Sequence, residues 1–243
     1  MTNLNNYKIQ RISTGSKNLD YLLGGGIETG AVTEFFGEPG TGKTQICLTL
    51  SVMVSQTKSK GGLDAKALYL DTENKFNPAR IVSIARSRGF DPGKTTHNIL
   101  LAKVINSTHQ EVILQNANSM IDANNVKLLL VDSVISHYRA EYRGRANLSE
   151  RQRRLNKFMQ ALVRIARTRG IAVVITNQIT LFGNVVTPTG GHVMSHASTY
   201  RVLLKGTPDF RYAIMIDSPY HPKSDAVFEI SEEGIIDPHR RHS

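Results

Sequence analysis

The sequence predicts an α/β fold in which a mostly parallel central sheet is flanked by helices and continues into antiparallel strands near the C-terminus. Short apolar runs alternate with amphipathic stretches as far as residue 176, which is typical of a parallel sheet with covering helices. Three further apolar runs then follow without helices between them, which indicates antiparallel pairing. A chain of 243 residues suits one such domain. We assign residues 11–237 to this domain, with short tails at 1–10 and 238–243.

The predicted elements of the first half alternate between strand and helix. Pro78 stands at the first position of one predicted helix, and Gly89 stands just past its end. The strands are short and apolar, as buried strands are. In chain order, the elements are strand 31–36, helix 43–54, strand 67–70, helix 78–88, strand 99–104, helix 108–124 and strand 127–131.

The second half opens with a long helix. Ser149 and Gln152 have the spacing of a capping box, which predicts the helix start, and Gly170 predicts its end. A continuous β-branched run at 171–176 predicts a strand that is buried on both faces. The predicted buried face of the helix consists of Leu155, Phe158, Met159, Leu162, Ile165 and Ala166. The last strands are expected at 199–204, 212–216 and 226–230, and mobile loops at 58–64 and 180–189.

The charge of the chain is concentrated in one segment. Thirty Lys and Arg residues against twenty Asp and Glu residues give a formal charge of +10. Residues 138–169 contain ten basic and two acidic residues, so this segment carries +8 of the excess. Such a cluster favours a polyanionic partner such as nucleic acid, although exposed basic residues can also serve solubility alone.

The composition also bounds the compartment. The single cysteine, Cys47, excludes an intrachain disulfide framework and favours a reducing environment. The sequence has no apolar run of about 18 residues and no signal-like stretch at its start, so we expect no membrane partner. The expected location is the cytoplasm, or the nucleus in a eukaryote.

A glycine-rich segment between the first predicted strand and the first predicted helix carries the strongest signal. It matches the pattern G-x-x-x-x-G-K-[ST], in which backbone N–H groups turn inward around phosphate oxygens at a helix N-terminus. Lys43 is predicted to bind the β- and γ-phosphates of ATP, and the Thr44 hydroxyl is predicted to bind Mg²⁺. The residues of this phosphate loop are Gly37, Glu38, Pro39, Gly40, Thr41, Gly42, Lys43 and Thr44.

Two acidic residues follow predicted strands at the edge where parallel sheets bind ligands. Asp132 ends the apolar run 128–131 and is the candidate that holds Mg²⁺ together with Thr44. Glu73, which follows the strand at 67–70, is placed to orient or deprotonate an attacking water. On spacing alone, a solvated carboxylate at position 73 is nearly as good an explanation.

Taken together, these motifs resemble the ATPase core of RadA/RecA-type DNA recombinases from archaea and eukaryotes. The similarity keeps the same order from residue 9 to residue 237. It implies a RecA-like P-loop NTPase core that hydrolyses ATP and binds single-stranded DNA. Besides the phosphate loop, the segments that carry the resemblance are 12–20, 23–30, 69–73, 131–133, 138–152, 175–178, 190–199 and 217–219.

The resemblance implies a catalytic set and a nucleotide contact. Glu73 matches the glutamate that activates water. Lys43 of the phosphate loop belongs to the same catalytic set. Gln178 matches a glutamine at the root of the second DNA-binding loop. In the family, this glutamine couples the γ-phosphate to DNA contact. Arg80 matches an arginine near the adenine.

The resemblance also implies contacts with a neighbouring subunit and with DNA. His196 matches a histidine that senses nucleotide near the neighbour, and Asp217 and Pro219 match a segment that caps ATP across the interface. The first DNA-binding loop is the segment that contains Tyr142 and Arg145. Its residue types suit DNA, because arginines neutralise phosphates and a tyrosine ring can stack on bases. The residues implied to contact DNA are Tyr142, Arg145 and Arg151, with Arg139 as a companion. A solvated basic face remains the competing explanation for Arg153, Arg154, Lys157 and Arg164.

Three features depart from the family pattern. We expect no counterpart of the small N-terminal helical lobe of RadA proteins, nor of the linker that carries their Phe-x-x-Ala polymerisation motif. The second DNA-binding loop, residues 179–189, is shorter than is usual, which bears on strand exchange. A piece of a full recombinase and a compact natural relative would both have these features.

Three functions remain open on this basis. The first is a DNA-dependent ATPase that binds single-stranded DNA, with double-stranded DNA as a further partner, and supports homologous pairing and strand exchange through self-association. The second is a recombinase paralogue or accessory protein that binds ATP, DNA or a related recombinase without exchanging strands. The third is a RecA-fold ATPase of another assembly, which the pattern of Tyr142, Arg145 and Arg151 disfavours.

Overall fold

The structure is a computed structural model that describes residues 8–182, 185–208 and 210–239. Of the predicted tails, residues 1–7 and 240–243 lie outside this description. The strands are β1 (Arg11–Ile12), β2 (Ile27–Glu28), β3 (Val32–Gly37), β4 (Lys66–Asp71), β5 (Ile99–Lys103), β6 (Val126–Asp132), β7 (Ala172–Asn177), β8 (Ile179–Phe182), β9 (Val185–Pro188), β10 (Tyr200–Gly206), β11 (Arg211–Asp217), β12 (Asp225–Ser231) and β13 (Gly234–Ile236). The helices are α1 (Lys17–Leu22), α2 (Lys43–Met53), α3 (Pro78–Ser87), α4 (Pro92–His97), α5 (Ser107–Asn124), α6 (Ser136–Glu141), α7 (Leu148–Arg169) and α8 (His192–Ala197).

The main sheet contains nine strands within the described residues, in the order β13-β12-β11-β10-β3-β7-β6-β4-β5. The strands from β10 to β5 are parallel to one another. Beyond β10, the sheet continues through β11, β12 and β13 in antiparallel pairing. The predicted fold class is therefore confirmed, including its antiparallel end.

Two apolar layers cover the sheet. On one face, Ile46 of α2 and Ile81 of α3 belong to a core cluster with alternate residues of the strands. On the other face, Leu114 of α5 and Leu162 of α7 belong to a second cluster, and the whole predicted apolar face of α7 is buried. Every residue of β7 is buried, as its continuous β-branched run predicts. Among the described residues, no helix is long and apolar enough to cross a membrane.

The start of α7 differs from the prediction, whereas its end agrees. The helix begins at Leu148, its N-cap is Asn147, and no side chain caps it. The predicted capping box is therefore wrong, because Ser149 already lies inside the first turn. Gly170 ends the helix in the left-handed conformation with φ 58°, as glycine allows.

Where the sequence predicts a mobile loop at 180–189, the structure describes two strands, β8 (Ile179–Phe182) and β9 (Val185–Pro188). Strands β8 and β9 pair antiparallel, with Ile179 opposite Pro188. At the root of this pair, the Asn177 side-chain amide donates to the Thr189 carbonyl at 2.7 Å. The short helices α4, α6 and α8 were also not predicted, because each has six residues and too few turns to show a helical period.

Candidate active site

The phosphate loop connects β3 to α2 at the carboxyl edge of the sheet. A side chain at Gly37 would place its Cβ 2.3 Å from the Leu204 carbonyl oxygen, so only glycine allows this close approach to β10. Gly42 caps α2 with φ 103°, a conformation that other residues rarely adopt. The free backbone N–H groups at the start of α2 follow directly, which makes this turn suited to binding phosphate.

A cavity of about 360 Å³ opens at this loop, and its lining includes Lys43, Thr44, Glu73, Asp132 and Gln178. We name it the phosphate cavity. The Lys43 ammonium donates to the carbonyl oxygens of Gly37 at 2.8 Å and Glu38 at 2.6 Å. Burial lowers the pKa of Lys43, against the attraction of Asp132 and Glu73. A phosphate anion would supply the negative charge that this half-buried cation attracts most strongly.

Asp132 lies at the end of β6, where its carboxylate faces the start of α2. It accepts hydrogen bonds from the Thr176 hydroxyl at 2.5 Å and the Tyr69 hydroxyl at 2.8 Å, and Thr44 also bonds to it. Burial raises the pKa of Asp132, while these three hydrogen bonds oppose the rise. A carboxylate and a hydroxyl are hard oxygen donors, so this pair fits Mg²⁺.

Glu73 lies opposite the phosphate loop, and both of its carboxylate oxygens accept hydrogen bonds. Ser133 donates to Oε1 at 2.8 Å and Ser136 at 2.5 Å. Lys75 donates to Oε2 at 2.5 Å. Burial alone would raise the pKa of Glu73, but the hydrogen bonds from Lys75, Ser136 and Ser133 outweigh it and lower the pKa to about 2. The carboxylate is therefore ionised and oriented toward the cavity.

Gln178 connects this carboxylate to the basic segment. Its side-chain amide nitrogen donates to Glu73 Oε1 at 3.0 Å, and its amide oxygen accepts from the Arg139 guanidinium at 3.0 Å. Gln178 itself follows β7, and Arg139 lies in α6, so two elements meet at this contact. An unbroken series of hydrogen bonds thus runs from the phosphate cavity to an exposed arginine.

Arg80 lies beside the phosphate cavity. It is not one of the described residues that line the cavity. Its guanidinium donates to the Gln45 side chain at 2.8 Å, and Gln45 lines the cavity. It also donates to the carbonyl oxygens of Ser231 and Glu232. Arg80 is therefore held beside the cavity by Gln45 and by the backbone of residues 231 and 232.

His196, Asp217 and Pro219 lie together in a different place. They line a second cavity of about 390 Å³, which includes Gln160 and Arg167 of α7. Among the residues that the structure describes, none of these three lines the phosphate cavity.

The basic segment divides into exposed and engaged residues. Arg145 is exposed on the turn before α7. Arg151 donates to the Tyr142 carbonyl at 3.4 Å. The Tyr142 ring instead lies under the Arg154 guanidinium at 5.4 Å, and its hydroxyl accepts from the same arginine. Tyr142 is half-buried, so in this conformation its ring is not a free stacking surface.

Comparison with known proteins decides the family. The family model described as Rad51 matches residues 5–238. The chain belongs to the Rad51 family. It is 46% identical over 235 residues to the "DNA repair and recombination protein RadA" of Cenarchaeum symbiosum (strain A). That match covers 94% of this chain and 59% of the length of the relative.

Two features of this Rad51-family chain were missed by sequence reasoning. Lys75 contacts the candidate catalytic Glu73, although no motif marks it as a site residue. Arg154 was open to explanation as a solvated charge, yet only 17% of its side chain is exposed and it pairs with Glu111 at 2.9 Å. Its position beside the buried Leu155 was the available signal, because a charge at the border of an apolar face needs a partner.

Proposed function

We propose that this chain hydrolyses ATP in response to single-stranded DNA and supports homologous pairing and strand exchange in recombination and repair. The name of the RadA relative supports a role in DNA recombination and repair. The observation that carries the proposal is the hydrogen-bonded series Glu73–Gln178–Arg139, because it joins a phosphate cavity to a basic surface. A nucleotide site alone would not need such a link.

The hydrolytic step follows from the orientation of two side chains. Glu73 accepts a hydrogen bond from the attacking water and directs its oxygen toward the γ-phosphorus. The new oxygen–phosphorus bond forms as the bond to the β,γ-bridging oxygen breaks, which yields ADP, phosphate and a proton. Lys43 stabilises the charge on the phosphate oxygens. Thr44 and Asp132 would hold Mg²⁺, which would supply positive charge that balances the charge of the bound phosphates.

DNA acts on this step through Arg139. A DNA phosphate attracts the Arg139 guanidinium and so competes with Gln178 Oε1 for it. Gln178 then changes its hydrogen bond to Glu73, which alters the position of the catalytic carboxylate. Arg145 and Arg151 add phosphate contacts, and Tyr142 stacks on a base only after it leaves Arg154.

ATP is proposed to lie between two copies of the chain. His196, Asp217 and Pro219 form their own cavity, which supports a contact with the nucleotide of a neighbour. This self-association, or association with a related recombinase, would complete the site. Double-stranded DNA is the further partner that homologous pairing requires.

The test is ATP hydrolysis with and without single-stranded DNA. We expect DNA to stimulate the wild type, and Glu73→Gln to abolish the stimulated rate. Arg139→Ala should lose stimulation even at saturating DNA, whereas Arg145→Ala should recover it at higher DNA concentration. Absence of stimulation in the wild type would favour the paralogue or accessory function.

A further inference from the structure

Lys75 is a second cation at the phosphate cavity, and no motif of the sequence accounts for it. Its side chain lines the cavity together with Lys43. The Asp71 carboxylate shapes the turn that presents it, because Asp71 Oδ1 accepts from the backbone N–H groups of Glu73 at 3.3 Å and Lys75 at 3.0 Å. The same turn therefore directs a carboxylate and an ammonium group into one cavity.

The two oxygens of Glu73 have partners of different kinds. Oε1 accepts from Ser133, Ser136 and Gln178, which lie on the elements that build the cavity. Oε2 accepts from Lys75 alone among the described residues. The Lys75 side chain is 57% exposed, against 16% for Glu73. Lys75 is therefore the partner that can move, because its flexible stem is largely in solvent.

Charge favours such a movement when a triphosphate binds. Lys75 and Lys43 line the same cavity, so the two cations repel each other across it. A γ-phosphate carries more negative charge than the carboxylate and offers several acceptor oxygens. An anion in this cavity would relieve the repulsion and compete with Glu73 for Lys75.

We propose that Lys75 senses the γ-phosphate by exchanging its contact with Glu73 for one with ATP. The proposal rests on the ATP site of the proposed function and adds a residue to it. Before ATP binds, Lys75 occupies Glu73 Oε2, the oxygen that would otherwise accept from the attacking water. After the exchange, Oε2 is free for that water. ADP has no γ-phosphate, so with ADP the lysine stays on Glu73.

The first test compares binding of a non-hydrolysable ATP analogue with an imido β,γ-bridge and binding of ADP. Lys75→Met should weaken the analogue by about tenfold, the usual size of one charge-assisted hydrogen bond, and change ADP affinity by less than about twofold. Lys75→Arg should restore most of the analogue affinity. Lys94→Met, at an exposed lysine of α4, is the matched control. Equal loss for both nucleotides, or no loss for either, would overturn the exchange.

The second test is a double-mutant cycle with Glu73→Gln. If the carboxylate competes with the γ-phosphate for Lys75, Glu73→Gln should tighten analogue binding in the wild type more than in Lys75→Met. The same gain in both backgrounds would refute the competition. A wild type that binds neither nucleotide, or a Lys43→Ala variant with unchanged affinity, would contradict the proposed function instead. The two failures are therefore distinguishable.

Discussion

The phosphate cavity and the basic segment differ in how their side chains are arranged. Those of the cavity converge on one site, whereas those of the basic segment have separate partners. Segments that are distant in sequence line this one cavity, and they contribute Lys43 with Thr44, Glu73, Asp132 and Gln178. The basic segment is continuous in sequence, and its charges take separate roles. Arg139 bonds to Gln178, Arg154 is paired with Glu111, Arg153 pairs with Glu150, and Arg145 is exposed.

The difference has a physical origin. Parallel strands end at a common edge, so residues that follow them converge regardless of their distance along the chain. A helix distributes its residues around its axis, so neighbouring charges face different surroundings. The position of a residue in a motif therefore predicts well whether it lines the cavity. In the basic segment, it predicts poorly which partner a side chain contacts.

The largest expected effect tests the cavity. Lys43→Ala should weaken ATP binding by about 100-fold, because it removes the half-buried cation that contacts the phosphate loop. Lys103→Ala, at the end of the edge strand β5, should leave the affinity unchanged. Equilibrium binding of a fluorescent ATP analogue measures both. An unchanged affinity in Lys43→Ala would mean that phosphate binds elsewhere.

The second effect tests the division within the basic segment. Arg154→Ala should lower the free energy of unfolding by about 1–2 kcal/mol, because Glu111 and Tyr142 lose a charged partner at a mostly covered position. Arg153→Ala should not change stability measurably, since its pair with Glu150 is exposed. Urea denaturation compares the two variants. Equal losses would show that burial does not separate these arginines.

A smaller effect is expected for DNA binding. Arg145→Ala should weaken single-stranded DNA binding by about fivefold and reduce the salt slope by about 0.7, the value for one lost phosphate contact. Arg86→Ala, on the opposite layer in α3, is the control. Titration at several salt concentrations gives both numbers. An unaltered slope would mean that this turn does not contact phosphate.

The smallest effect concerns acid stability. The pKa of Glu73 is lowered in the folded state to about 2, so its ionised form stabilises the fold above the unfolded pKa. That stabilisation is lost as the pH falls through the folded pKa. The difference in unfolding free energy between wild type and Glu73→Gln should therefore narrow between about pH 5 and about pH 2. A difference that stays constant with pH would contradict the assignment.

Much of the fold could be predicted because its signals are local. The β-branched run of β7, the Gly170 stop and the turn at Gly42 each follow from backbone preference and apolar pattern. The capping box at Ser149 failed because the observed N-cap, Asn147, lies two residues earlier, and two helix starts this close differ only in the path of the preceding turn. The pairing of β8 with β9 was not predicted, since the Asn177–Thr189 contact at its root joins residues that are 12 apart in the chain.

The sequence by itself determined the sheet, the phosphate loop and the family, because these depend on residue types at short, regular spacings. Only the tertiary structure decided which side chains contact one another. It joined Gln178 to Arg139, turned Tyr142 onto Arg154 and placed Lys75 on Glu73. It also separated His196 and its neighbours from the phosphate cavity. Such contacts depend on which elements pack together and on which charges the packing removes from water, and no spacing along the chain encodes either.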